Sequence, residues 1–336
     1  MKKRYLIAGA YGLTGAWLAA KLLSRPRDVE WTSHSASLHH ADQSRFVEVD
    51  RIRVHYQEAG RVDAPVVLLI HGFCASNFIW SDVLLPIADG GYRVIAPDLI
   101  GYGFSEKPRH GEYTIKAQAQ MIVGLMNALG ISRAALVGSS YGGAVAATCA
   151  LDYPDRVERL VLVGAVSNNE VKSQLLLRLA ASPVLGDLLS PVLIDSRALM
   201  QWRMKKVYAE EHAHLLDAER MDAHHRPLRT ANTHRAILQT LRRWDAARLE
   251  REAHLITQST LLVWGEQDTD VPVHHGERLH AQIPNSRLIV FRRCGHLPQE
   301  ERPAEFAGLI AGFCQSMKAR GSSVDKDELS TVTNHH

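Results

Sequence analysis

Ser140 stands in Gly138-Ser139-Ser140-Tyr141-Gly142, directly after the apolar run Ala134 to Val137 and shortly before the Ala-rich stretch Ala144 to Leu151. A strand that turns sharply into a helix needs small neighbours, because larger side chains collide as the turn closes, and the turn projects one hydroxyl into a cleft. Ser139 is the neighbouring alternative, but only Ser140 is spaced two residues from each glycine. A serine hydroxyl is a poor nucleophile at neutral pH. It needs a base within hydrogen-bond reach and a third group that fixes the tautomer of that base. Asp268 and Asp270, in Gly265-Glu266-Gln267-Asp268-Thr269-Asp270, follow an apolar run that ends at Trp264 and offer the acid. His296, in Cys294-Gly295-His296-Leu297-Pro298, follows a run that ends at Phe291 and offers the base. Together these residue types support nucleophilic attack on an acyl carbon.

The elements that must position them can be read from hydrophobic runs. Phe46 to Val49 and Ile52 to Tyr56 alternate and predict a hairpin. Val66 to Ile70, Val94 to Pro97, Ala134 to Val137, Leu160 to Val163, Leu261 to Trp264 and Leu288 to Phe291 read as buried strands. Most gaps between them can hold a helix, which predicts a mainly parallel twisted sheet covered by helices on both faces. The candidate acid and base then lie on loops at the C-terminal ends of strands, the edge at which open α/β sheets place ligands. The gap between Ser167 and Ser259 is too long for one crossover and reads as an inserted helical cap. The expected organisation is an apolar segment over 1–23, a linker over 24–44, a core in two parts over 45–166 and 259–318, the cap over 167–258, and a polar tail over 319–336.

With both flanks of Ser140 and both loops in place, the chain resembles the α/β-hydrolase fold superfamily, in its esterase, lipase and epoxide-hydrolase-like group, from about Phe46 to Phe313. His71-Gly72-Phe73 resembles that family's oxyanion loop, and Asp98 to Ser105 its D-x-x-G-x-G-x-S loop. Gly265 to Asp268 with Val271-Pro272, and Gly295-His296 with Glu301-Arg302-Pro303, resemble its acid and histidine loops. The chain order Ser, Asp, His is the one this fold uses. The resemblance implies a catalytic set of Ser140, Asp268 and His296, with Asp268 preferred over Asp270 by its spacing. It also implies an oxyanion hole built from the backbone N–H groups of Phe73 and Tyr141. Asp98 and His71 are expected to order their loops rather than move protons. A serine at the turn implies acyl chemistry on a small-molecule ester substrate, with no cofactor and no metal. The loop His71 to Ser76 lacks the H-G-G-P-G run of proline iminopeptidases and the H-G-x-G-P-G run of meta-cleavage C–C hydrolases. Other serine-dependent reactions (C–C, thioester or amide cleavage) and a non-catalytic ligand receptor on the same fold are the alternatives.

Composition narrows the rest. The chain of 336 residues is 46% hydrophobic and 22% charged, enough to bury a large core. Its net charge of +3 is spread along the sequence, so no nucleic-acid partner is expected. Cys74, Cys149, Cys294 and Cys314 lack zinc-like spacing and read as reduced thiols; a Cys74–Cys294 bridge would require an oxidising compartment. His212, His214, His224, His225 and His234 read as solvated or helix-surface residues rather than metal ligands. Trp80, Trp202 and Trp244 are candidates to line an acyl pocket or, equally, to be ordinary core or cap packing. At the N-terminus, Lys2, Lys3 and Arg4 precede an uncharged stretch from Tyr5 to Ala20. This reads as an uncleaved membrane anchor over 5–23, the alternative being a signal removed on export to the periplasm or beyond. Gly9, Gly12 and Gly15 mimic a dinucleotide-binding turn, but the following second strand and its acidic residue are missing, so small residues in an apolar helix explain them better.

Overall fold

The computed structural model describes Gly15, Trp31, residues 38–170 and residues 175–315. The expected anchor or signal segment and the polar tail lie outside the described residues, apart from Gly15. No helix among the described residues is long and apolar enough to cross a membrane.

The hairpin comes first. Strands β1 (Ser44–Val49) and β2 (Ile52–Ala59) pair antiparallel with Val49 opposite Ile52. Asp50 and Arg51 both take positive φ at 49° and 66°, the backbone of a tight turn whose twist matches that of the strands. β3 (Val66–Ile70), β4 (Arg93–Pro97), β5 (Ala134–Ser139), β6 (Val157–Val163), β7 (Thr260–Gly265) and β8 (Ser286–Phe291) complete one eight-stranded sheet in the order β1-β2-β4-β3-β5-β6-β7-β8. All pairings from β4 through β8 are parallel. Every expected strand is present.

The central strands are apolar on both faces because both faces are covered. Leu68, Ile70, Leu136, Leu160, Leu162, Leu262 and Trp264 belong to one core, packed under α2 (Ile115–Ala128) and α3 (Tyr141–Asp152). The alternating residues Val67, Leu69, Ala135, Val137, Val161, Val163, Leu261 and Val263 belong to a second, packed under α1 (Ser81–Asp89) and the helix over 303–315. Trp80 belongs to this second core, against Phe306, and is packing rather than pocket lining.

Strand order reverses around β3, which has β4 on one side and β5 on the other. The crevice beyond the C-terminal ends of strands at such a reversal is where this architecture places ligands. Over that edge lies the chain between β6 and β7, which is helical: α4 (Leu175–Ala181), α5 (Leu185–Asp195), α6 (Arg197–Val207), α7 (Ala218–His225), α8 (Thr233–Arg242) and α9 (Ala247–Glu252). Two further helices, α10 (His274–Gln282) and α11 (Pro298–Glu301), follow the loops after β7 and β8.

Candidate active site

Ser140 sits between β5 and α3 with φ 54° and ψ −116°, a conformation that costs an L-residue on the order of 1–3 kcal/mol and persists only where its surroundings enforce it. Here they do. The Ser140 N–H donates to the Val163 carbonyl at 2.8 Å, and the Ser140 carbonyl accepts from Gly143 at 3.0 Å and Val166 at 3.1 Å. Gly142 is required because a Cβ there would lie 2.3 Å from the Ile70 carbonyl oxygen. Tyr141 opens the helix, so its N–H has no acceptor in a preceding turn and points out of the helix start. Phe73, across the crevice on the loop after β3, lines the same chamber as Ser140.

His296 and Asp268 meet as the sequence suggests. His296 Nδ1 lies 2.7 Å from Asp268 Oδ2, and both residues are 5% exposed. The other oxygen, Asp268 Oδ1, accepts from the backbone N–H groups of Asp270 at 2.9 Å and Val271 at 2.8 Å. Asp270 therefore supports the acid loop and lines the chamber without bonding the imidazole. Burial alone would lower the pKa of His296, but the charge and hydrogen bond of Asp268, with Asp270 behind it, outweigh burial and raise it to about 9. The pair thus favours the imidazolium, the form that results when the ring takes a proton from serine. Among the described residues the Ser140 hydroxyl makes no hydrogen bond to the ring, so the two must close up before a proton passes. Cys74, also in the chamber, is held as a thiol by burial, its pKa pushed up to about 11, and is no rival nucleophile.

Asp98 and His71 act as locks. Buried Asp98 accepts from Asn77 N at 2.8 Å, Phe104 N at 2.9 Å and His55 Nδ1 at 2.7 Å. Burial would raise its pKa, but His55, by hydrogen bond and charge, and the Asn77 N–H bring it down to about 2. His71 Nε2 accepts from Leu99 N at 3.0 Å, so Nδ1 carries the proton and donates to the Gly72 carbonyl at 2.8 Å. These bonds join the Phe73 loop to the loop after β4.

A second set of residues was missed from the sequence. Glu300 and Glu301, on α11, are 1% and 4% exposed. Glu301 accepts from Gly295 N at 2.9 Å and Leu297 N at 3.3 Å, on either side of His296, and from Ala209 N at 2.9 Å and His212 Nδ1 at 3.1 Å in the insert. Glu300 Oε2 accepts from Tyr208 at 2.6 Å, His224 at 2.9 Å and Arg220 at 3.0 Å. The His296 N–H itself donates to the Val207 carbonyl at 2.7 Å. This corrects the reading of His212 and His224 as solvated. His224 is buried, and both meet carboxylates that arrive from a distant stretch of chain. His214 is exposed and bonds only the Glu211 carbonyl. The Glu301-Arg302-Pro303 run was the available signal for one of the glutamates; Glu300 carried none. Gly164 was missed too. It takes φ +48°, and a Cβ there would lie 3.0 Å from His296 Nδ1 and 3.1 Å from Asp268 Oδ2.

The chamber has a volume of about 200 Å³, with Ser140 and His296 on one wall. Leu177, Leu193, Leu238, Leu241 and Met200 from the insert form much of the rest, with Trp202 and Trp244 also contributing. All four cysteines are free. Among the described residues, one group has metal-ligand spacing, Glu170 with His274 and His275. It lies outside the chamber lining, and the Arg278 guanidinium stands 2.9 Å from His275 Nδ1, which opposes a cation there.

Comparison with known proteins agrees with this fold. Residues 65–303 match the alpha/beta hydrolase fold family. The chain is 32% identical over 298 residues to the 2-hydroxy-6-oxo-6-phenylhexa-2,4-dienoate hydrolase of Comamonas testosteroni, covering 84% of this chain and 96% of that protein. It is 30% identical to an uncharacterized hydrolase of Bacillus subtilis, over 80% of this chain and 97% of the relative. Among solved structures, a meta-cleavage product hydrolase superposes with a TM-score of 0.71 at 26% identity, over 82% of this chain and 99% of that one. A membrane phospholipase A superposes with a TM-score of 0.70 at 27% identity, over 94% and 98%. The chain belongs to the alpha/beta hydrolase fold family and is a hydrolase.

Proposed function

We propose that the chain cleaves carboxylic esters through an acyl-enzyme on Ser140. The supporting observation is the strained Ser140 at the wall of an apolar chamber shared with His296, whose far nitrogen is held by Asp268 at 2.7 Å. With Nδ1 turned to Asp268, Nε2 faces the chamber. In the proposed cycle Ser140 Oγ attacks the acyl carbon as Nε2 takes its proton, and the N–H groups of Phe73 and Tyr141 hold the oxyanion. Each such donor contributes about 10²–10³ in kcat in enzymes of this kind. The C–O bond breaks as His296 returns the proton to the leaving alcohol. Water, deprotonated by the same nitrogen, then attacks the acyl carbon; the bond to Ser140 Oγ breaks, Oγ takes the proton back from His296, and the acid is released. The apolar roof formed by Leu177, Leu193, Leu238 and Leu241 fits an alkyl or acyl chain and favours medium-chain or lipid-like esters.

A second reading, hydrolysis of a C–C bond, is favoured by the dienoate hydrolase among the relatives. Steady-state hydrolysis of p-nitrophenyl esters from acetate to palmitate, beside a vinylogous diketone, separates the two. The ester reading expects turnover that peaks at one chain length and is lost in Ser140→Ala. Turnover of the diketone with none of the esters contradicts it. The apolar run over 5–23 belongs to the same proposal, as an anchor that holds the enzyme beside lipid. Recovery of the full chain in the membrane fraction after a carbonate wash is expected. Recovery in the wash overturns the anchor.

A further inference from the structure

The chamber contains a cation that the proposed cycle does not use. Leu199, Met200, Trp202, Arg203, Met204 and Val207 of α6 line it. Positions 200, 203, 204 and 207 fall on one face of a helix, so this is the face that α6 turns to the substrate. Five of these six lining residues are apolar, as a wall for an alkyl chain should be, and the exception is Arg203. Its guanidinium pairs with no carboxylate and makes no hydrogen bond among the described residues. Asp270 lines the same chamber but does not form an ion pair with it. Other half-buried arginines behave differently: Arg220 is paired with Asp82 and Glu300, and Arg248 with Asp152 and Glu252.

Arg203 is half-buried at an apolar cavity, where a cation loses part of its hydration, and among the described residues no carboxylate pairs with it to compensate. Arg203 also lies close enough to both sides of the reacting centre to act on each. Its charge opposes protonation of His296 and offsets part of the rise that burial imposes on Cys74, beside the oxyanion loop. A planar fork of donors in that position matches a carboxylate or a phosphate.

We propose that Arg203 binds an anionic group on the alcohol side of the substrate, so that the preferred ester carries a carboxylate or phosphate close to the bond that breaks. The alcohol side is assigned because His296, which Arg203 accompanies, is the residue that protonates the leaving oxygen. This last step rests on the ester reading; anion binding at Arg203 does not.

The test uses ethers that cannot turn over. Calorimetry on the full-length chain compares 4-butoxybenzoate, 4-butoxyphenyl phosphate and the neutral 4-butoxybenzamide. The wild type is expected to bind the better of the two anions about tenfold more tightly than the amide, the gain of one charge-assisted pair. That preference should shrink with added salt, disappear in Arg203→Met and survive in part in Arg203→Lys. Which anion binds better distinguishes a carboxylate source from a phosphate source. Equal affinity for acid and amide in the wild type overturns the proposal without any variant, and so does a preference that persists in Arg203→Met. Turnover of the butyrate ester of 4-hydroxybenzoate is measured separately. Its absence, with the anion preference intact, removes the ester reading and leaves the assignment of Arg203 standing.

Discussion

The insert between β6 and β7 is held to the core in two different ways. From Val207 to His224 it is laced to the histidine loop by directional polar bonds. Glu301 receives N–H groups from both sides of His296 and from Ala209, while Glu300 gathers Tyr208, Arg220 and His224. From Leu177 to Leu193 its contact with the core is apolar, through Phe73; the rest of its packing is within the insert, with Ala180 against Leu238 and Leu241 of α8 and the Arg242 side chain reaching the Ala181 and Ser182 carbonyls and Asp187. Val184 beside it is 78% exposed. Directional bonds fix an orientation, whereas apolar packing fixes only a volume and tolerates changes of shape. The half that holds His296, the proposed general base, is therefore built from bonds, and the half proposed to accept a substrate chain is built mainly from apolar surface.

The strongest blow to this contrast is Glu301→Ala. It strands buried N–H groups at Gly295 and Ala209 and is expected to cost at least about 3 kcal/mol in chemical denaturation, with a fall in kcat from a misplaced His296. A loss below about 1 kcal/mol would show that the lacing is incidental. Next comes Gly164→Ala, which presses on the contact between His296 and Asp268. It should lower kcat/KM about ten- to a hundredfold, because small misplacements of catalytic groups are costly, with KM little changed.

The pH dependence sharpens the polar half. As the proposed base, His296 works only when neutral, so kcat/KM should rise with pH through a midpoint near pH 9 and level off above it. Stability moves the other way. A pKa raised from 6.5 to about 9 means that the ion pair stabilises the fold fully below pH 6.5 and that this contribution is lost as pH climbs through about 9. Denaturation midpoints between pH 6 and 10 should therefore fall while activity rises. Leu177→Trp probes the roof and is the mildest change. It should move the preferred acyl chain to a shorter length, by discrimination of about 1–3 kcal/mol, with the pH profile unaltered.

The strands, the turn at Ser140 and the two loops that bring Asp268 to His296 were legible because each rests on a local pattern: an apolar run, a glycine spacing, or a polar loop just after a strand. Asp268 could be separated from Asp270 only by family spacing; in the structure Asp268 reaches the ring because its other oxygen is tied down by the N–H groups of residues 270 and 271. The glutamates of α11 were illegible as a clamp. Glu300 and His224 are far apart in the chain, and no local pattern announces that a folded insert will bring them within 2.9 Å. Helix surface was the sensible expectation for the insert's histidines; it holds for His214, and long-range pairing overturned it for His224 and drew in His212. Trp80 was left open between pocket and core for a similar reason: a tryptophan near the oxyanion loop in sequence can point to either face of the sheet, and this one lies in the core away from the chamber.

The most direct test of the account is to stop turnover of p-nitrophenyl butyrate in acid during the steady state and map the peptides by mass. A butyryl group on Ser140, absent after Ser140→Ala, is the predicted result. An unmodified Ser140 in an enzyme that is turning over, or a butyryl group on Ser139 instead, would contradict it.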